Sequence, residues 1–316
     1  MQQPIGSGFD RHTPASDVLK GVDLSGKRVV VTGGYSGIGF ETTRVLAAAG
    51  AKVFVPARNL AKARAVMDLD GDIQVANMDL ENLPSVQRFA LDVSDDGPLD
   101  ILINNAGIMA CPERKIGPGW ESQFGTNHLG HMALTKALLP VLLQADAPRV
   151  VCLSSTAHHI TDIRWDDPHF DSEPYEKWKA YGQSKTANAL FAVALQQRHG
   201  KDGLLAFAVH PGGIQTPLQR HLNNEEMVAM GWLDADGNLS EKAKGMFKSV
   251  EAGASTSVFA ATSPLLADHG GVYCEDADIA ALAQEGDRFK GVKAYAVDPD
   301  GAARLWEMSE AMLPSR

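Results

Sequence analysis

The hydrophobic pattern alternates between two kinds of segment. Short apolar runs, several of them rich in β-branched residues, occur at 29–31, 53–55, 73–76 (broken only by Gln74), 101–103, 150–153 and 204–209. Runs of this length and composition predict buried strands. Between them, residues 37–49, 60–67, 83–91, 120–143 and 181–199 space their apolar residues three and four apart, which predicts helices. In the last of these, Ala187, Leu190, Phe191, Ala194 and Leu195 form one stripe. Strands that are apolar throughout are covered on both faces. A helix after each one implies a parallel sheet. The expected class is α/β: a doubly wound parallel sheet in three layers, α/β/α, in a single domain. No repeat, low-complexity stretch or Pro/Gly-rich linker divides it. We expect a polar N-terminal arm over 1–25 with a short helix near 15–20, the main domain over 26–290, and a C-terminal extension over 291–316.

Composition narrows the possible roles. The chain has 316 residues, 44 % hydrophobic and 22 % charged, with a formal net charge of −10. An acidic surface repels phosphate backbones, so nucleic acid is not expected as a partner. No apolar run reaches about 18 residues, so no membrane span is expected. The first 20 residues lack a basic start followed by an apolar core, so no secretory peptide is expected. Cys111, Cys152 and Cys274 lie far apart, with neither a disulfide framework nor zinc-site spacing. These features predict a reduced, cytoplasmic protein with no metal.

The candidate chemistry sits where strands end. Thr32-Gly33-Gly34-Tyr35-Ser36-Gly37-Ile38-Gly39 joins the first strand to the first helix. Glycines there permit a sharp turn and let the backbone approach a pyrophosphate at the helix N-terminus. The spacing is not G-x-G-x-x-G, and no Lys follows Gly39, which excludes a Walker loop. Such a turn alone could be structural. Its place after the first strand points to a nucleotide. The second strand ends in Ala57-Arg58-Asn59. No acid stands there to meet a ribose 2′-OH, and a guanidinium is available for a 2′-phosphate, so NADP(H) is favoured over NAD(H). Asn104-Asn105-Ala106-Gly107 ends the fourth strand, and Ser154-Ser155-Thr156 the fifth; either could be a plain turn or strand cap. Pro211-Gly212-Gly213-Ile214-Gln215-Thr216 follows the sixth, as a cofactor cover or an ordinary turn. Tyr181 and Lys185 stand four apart on one helical face. A nearby ammonium favours a phenolate, although a surface Tyr-Lys pair would look the same.

Taken in order, these motifs resemble the short-chain dehydrogenase/reductase family, a Rossmann fold. The match comprises TGxxxGIG at 32–39, Asp79-Leu80, NNAG at 104–107, Asn127, Ser155, YxxSK at 181–185 and PGxxxT at 211–216. The resemblance implies Tyr181 as general acid/base and Lys185 lowering its pKa while holding the nicotinamide ribose. Ser155, chosen over Ser154 by the S-x-A pattern, would orient the substrate oxygen. Asn127 would anchor a proton-relaying water. Gly33, Ser36, Gly37, Ile38, Gly39, Arg58, Asp79, Leu80, Asn105, Ala106, Gly107, Pro211, Gly212, Ile214 and Thr216 would join Tyr181 and Lys185 in binding the cofactor. It also implies a small-molecule alcohol or carbonyl substrate and a homo-dimer or homo-tetramer.

Ser155 and Tyr181 are 26 positions apart, about twice the family spacing. The insert, 158–179, holds His158, His159 and His169 among several acids. A metal reading is rejected in favour of a loop near the pocket or over the oligomerisation face. The insert, the Ala57-Arg58-Asn59 signature and the extended C-terminus resemble the retinol-dehydrogenase-like and protochlorophyllide-reductase-like branch. That implies NADPH and apolar substrates. Leu222, Met227, Val228, Met230, Trp232 and Leu233 suggest a lid over 219–248, although an amphipathic surface helix would fit as well. His128 and His131 are expected in packing or the pocket wall. The expected reaction interconverts alcohols with ketones or aldehydes. Reduction of an activated C=C bond and a non-catalytic nucleotide-binding scaffold are the alternatives.

Overall fold

Eight strands form the central sheet of the computed structural model, which describes residues 2–287 and 289–314. They are β1 (Arg28–Val31), β2 (Lys52–Ala57), β3 (Ile73–Asn77), β4 (Ile101–Asn104), β5 (Arg149–Leu153), β6 (Leu205–His210), β7 (Tyr273–Glu275) and β8 (Asp278–Ile279). The order is β8-β7-β6-β5-β4-β1-β2-β3. All neighbours are parallel except β7 and β8, which form an antiparallel hairpin. The strand order reverses between β1 and β4, and the crevice above such a reversal is where open α/β sheets bind ligands.

Helices cover both faces: α1 (Gly37–Ala48), α2 (Leu60–Val66), α3 (Leu83–Ser94), α4 (Gly130–Leu142), α5 (Lys177–His199), α6 (Val250–Thr262) and α7 (Pro299–Met312). Asn59, Asn82, Ser249 and Asp298 cap α2, α3, α6 and α7, each side chain accepting from a first-turn N–H. Such caps satisfy donors that the helix cannot. One core lies between the sheet and α3, α4, α5 and α7, and a second between the sheet and α1 and α6.

The six expected strands and the helices between them are present, within a few residues. The expected helix over 120–143 is divided. Trp120–Glu121 pairs with Lys115–Ile116. The Glu121 carboxylate then accepts from Gln123 N and Phe124 N at 2.8 and 2.7 Å, so the helix starts only after it. A π turn at Gly125–Leu129 precedes α4.

The first residues are pinned to the sheet edge. Gln2 hydrogen-bonds the backbone of Tyr273 and Ala280, and Asp278 accepts from the N–H groups of Ile5, Gly6 and Ser7. At the other end of the chain, α7 lies across α4 and α5. Trp306 stacks on Phe191 at 5.9 Å, and Ser309 Oγ meets His128 Nε2 at 2.7 Å. The insert is fastened to α5. Gln183 accepts from Arg164 N and donates to Pro168 O, and Arg164 bridges Asp167 and Glu173. Arg304 of α7 covers Trp165.

Trp306 is buried between two packed helices, so Trp306→Ala is expected to lower unfolding free energy by about 3 kcal/mol or more. A denaturant titration of the variant against the wild type measures this.

Candidate active site

The site begins with a buried hydroxyl at the end of β1. Thr32 Oγ1 accepts from Asn105 N and Ala106 N, both at 2.9 Å, and lies 2.8 Å from His131 Nε2. His131 Nδ1 is 2.9 Å from the Asn127 carbonyl, which can only accept. Nδ1 therefore carries the ring proton, and Nε2 accepts from Thr32. Burial pushes the His131 pKa down to about 4, so the ring is neutral. Asn105 Nδ2 donates to Thr32 O at 2.7 Å, tying the glycine turn to the end of β4.

The turn admits no side chains at its close approaches. A Cβ on Gly39 would lie 2.4 Å from Gly33 O and from Asn105 Nδ2. Gly33 and Gly37 have φ of +65° and +55°, a region that glycine enters freely. Ser36 is the N-cap of α1, yet its side chain accepts no hydrogen bond from the first turn.

Along the C-terminal edge of the sheet runs a cavity of about 1230 Å³. Gly33, Ser36, Gly37, Ile38, Arg58, Asp79, Leu80, Asn105, Ala106, Gly107, Ser155, Tyr181, Lys185, Pro211, Gly212, Ile214 and Thr216 all line it. The fold thus gathers residues from six strand ends. Gly39 and Asn127 stand behind the wall. Asn127 is held by Ile108, accepting from its N–H and donating to its carbonyl at 2.9 Å each, and donates to Ser184 Oγ at 3.0 Å. Gly39 acts by allowing the close packing.

Tyr181 and Lys185 are both buried. Burial pushes the Tyr181 phenol above its ordinary range, and a hydrogen bond with Ser155 opposes this. The Lys185 ammonium is pushed down to about 8, again by burial. Its Nζ donates to Leu153 O at 3.0 Å and sits 5.6 Å from the Tyr181 ring centroid. The phenol therefore stands on the opposite side of its ordinary range from the lowering expected of this ammonium, and desolvation is the main cause. Ser154 is occupied elsewhere, donating to Lys185 O at 2.7 Å.

Met109, Ala110 and Leu222 form an apolar cluster with Tyr181, and Trp178, Met227, Met230 and Trp232 pack against it. Of the apolar residues expected in the lid segment, Val228 turns outward. Lys177 pairs with Glu226 and ties this segment to the start of α5. Of the histidines of the insert, His159 lines the cavity and His158 is tied into the fold. His158 Nε2 accepts from Lys293 N at 3.1 Å, so Nδ1 donates to Ser155 O. Among the described residues, no three His, Cys, Asp or Glu side chains converge as metal ligands.

The sequence pattern did not point to Thr32, whose hydroxyl is hidden in the motif's opening residue. Nor did it point to Arg11 and Lys62, which also line the cavity. Arg11 belongs to the N-terminal arm and donates to Met246 O at 2.8 Å; nothing local in its sequence marks it.

The residues present fit a dinucleotide. The start of α1 faces the cavity without a side-chain cap, as a pyrophosphate would require. The model for short chain dehydrogenases matches residues 27–227. This chain belongs to the short-chain dehydrogenase family. Its members are oxidoreductases that bind a nicotinamide cofactor. A Streptomyces lividans member named "Probable oxidoreductase" is 46 % identical over 293 residues, covering 90 % of this chain and 97 % of its own. Mouse retinol dehydrogenase 12 is 36 % identical, covering 92 % and 88 %. The solved Pseudomonas aeruginosa RhlG/NADP active-site complex superposes with a TM-score of 0.59 at 25 % identity, covering 83 % and 97 %. No described helix of this short-chain dehydrogenase is long and apolar enough to cross a membrane.

The depressed His131 pKa has a consequence for stability. As pH falls below about 6.5, the unfolded chain takes up a proton that the folded ring refuses until about pH 4. Stability should therefore fall across that window, by roughly 3 kcal/mol from this group. His131→Gln should reduce the slope of unfolding free energy against pH by about one proton; an unaltered slope would contradict a neutral His131.

Proposed function

We propose that this protein is an NADP(H)-dependent oxidoreductase interconverting alcohols with ketones or aldehydes, with a preference for bulky lipophilic substrates. One observation carries the reading: Tyr181, its hydroxyl bonded to Ser155, stands where the cavity lined by the glycine turn and strand ends meets the apolar cluster.

A bound nicotinamide would supply or accept the hydride. The chain's own residues manage the proton and the orientation. In the reductive direction, Tyr181 donates its O–H proton to the substrate oxygen, and the Ser155 hydroxyl donates a hydrogen bond to the same oxygen. Lys185 has two N–H donors beyond the one on Leu153 O. They are available to the nicotinamide ribose, and the ammonium's charge favours the phenolate when the reaction runs in reverse. Gly33 to Ile38 and Thr216 would hold the pyrophosphate, and Asp79 and Leu80 the adenine side.

NADP(H) over NAD(H) is supported by the end of β2. Arg58 is largely exposed on the cavity wall and shares Glu81 loosely, at 3.7 Å. Arg114 takes the same carboxylate in two bonds at 2.7 Å, so Arg58 is free to turn toward a 2′-phosphate. The segment 219–248 acts as the lid, and its methionines and Trp232 form a wall suited to an apolar substrate. The name of the mouse relative is consistent with that preference. Three free cysteines, all buried, suit a reducing compartment such as the cytoplasm.

Tyr181→Phe is expected to lower kcat by about 10³-fold while leaving NADPH affinity nearly unchanged, as read by steady-state rates and fluorescence titration. A loss below about tenfold would remove Tyr181 as the proton donor. Arg58→Ala should weaken NADPH binding by roughly tenfold or more and spare NADH. Equal effects on the two cofactors would remove Arg58 as the 2′-phosphate partner.

A further inference from the structure

The cavity continues past Ser155. Leu153 pairs with Val209, and His210 with Glu275, so Ser154, His210 and Glu275 lie side by side at three neighbouring strand ends, with Ser155 and Asp276 one residue beyond. Ala208 packs in the α5-side core and Val209 in the α6-side core. Alternation therefore puts His210 on the face that carries Tyr181.

His210 lines the cavity and is only 8 % exposed. Among the described residues, its Nδ1 has no hydrogen-bond partner. That nitrogen is shut off from solvent, so His210 meets the cavity through the rest of its ring. Lys248 arrives beside it with its side chain 3 % exposed. The stem crosses Gly212, where a Cβ would lie 2.7 Å from Cε, and Gly212 has φ +103°. Lys248 Nζ donates to Asp276 Oδ1 at 2.5 Å, which leaves two N–H groups. Lys293 also lines the cavity.

Three carboxylates stand nearby, each with a partner. Both Glu275 oxygens accept from Gly291 N at 3.0 Å, Asp276 holds Lys248, and Asp287 accepts from Gln284 N at 2.8 Å. Arg11, Lys248, Lys290 and Lys293 line this end of the cavity against Glu275, Asp276 and Asp287, so cations outnumber carboxylates. The opposite side of Tyr181 is apolar.

We propose that His210, Lys248 and Lys293 form a subsite for a carboxylate carried by the substrate, on the far side of the reacting carbon from its apolar body. The preferred substrate is then an oxo acid or hydroxy acid with a lipophilic tail. This rests on the alcohol–carbonyl reading above and goes further by naming the second group that the substrate bears.

The test compares three ketones with NADPH: δ-oxodecanoic acid, its methyl ester, and the unsubstituted ketone of equal length. The acid is expected to exceed the ester in kcat/KM by about tenfold or more. The double variant Lys248→Met, Lys293→Met should bring that ratio close to one. The methionines keep the stems, and circular dichroism checks the fold. Should the pair misfold, Lys293→Met alone should still shrink the ratio. Equal use of acid and ester by the wild type, with the plain ketone reduced, overturns the subsite and leaves the oxidoreductase reading intact. Failure to reduce any of the three counts against that reading instead. In that event, calorimetric titration of acid and ester into the NADP⁺-loaded protein decides the subsite: binding of the acid alone supports it, and equal binding or none overturns it.

Discussion

The Thr32 hydroxyl joins β1, β4 and α4, and its hydrogen bonding is complete. A hydroxyl has one proton to give and two lone pairs to receive with. Thr32 gives its proton to His131 and receives from two successive amides, Asn105 and Ala106. This works only while the imidazole is neutral, with its single proton on Nδ1 and donated to the Asn127 carbonyl. From there the chain of bonds runs on through Asn127 to Ile108 and Ser184 on α5. The glycine turn, the end of β4 and the helix bearing Tyr181 are therefore aligned by one buried network. In a low-dielectric interior such a network is stiff, and a break leaves several groups unpaired at once.

Tyr181 and Lys185 lie within a helix that is buried on nearly every side. Residues Ala180 through Leu195 are all inaccessible, and most of them are small. Small side chains let α5 sit close to the sheet and bring the phenol to the cavity floor. The same closeness strips water from both ionisable groups. Each is driven toward its neutral form, and that shift is the electrostatic cost of a dry reaction site. Ser155 and the Leu153 carbonyl offset part of it.

Most of the nucleotide half was legible in the sequence because its strands are unbroken runs such as Val29-Val30-Val31, and its motifs sit where those runs stop. What lay beyond β6 was not. β7 and β8 are three and two residues long. The turn between them uses Asp276 and Ala277, at φ +51° and +56°, instead of the glycine or asparagine that would have marked it. Helix α6 is built from Ala, Gly, Ser and Thr with apolar residues on all sides, so it has no stripe to read. Arg11, His210 and Lys248 come together only through long-range folding, and no spacing encodes that. The roles of Thr32 and His131 were likewise invisible, because a buried polar pair is recognised by its partners and not by its pattern.

The position of α7 bears on how the chain holds its shape. Helices α4 and α5 present a wide face, and Trp306, Ser309 and Glu310 cover it. Because the cover is part of the same polypeptide, its attachment is a unimolecular event. Dilution leaves it in place, whereas a cover borrowed from a neighbouring copy would be lost as concentration falls.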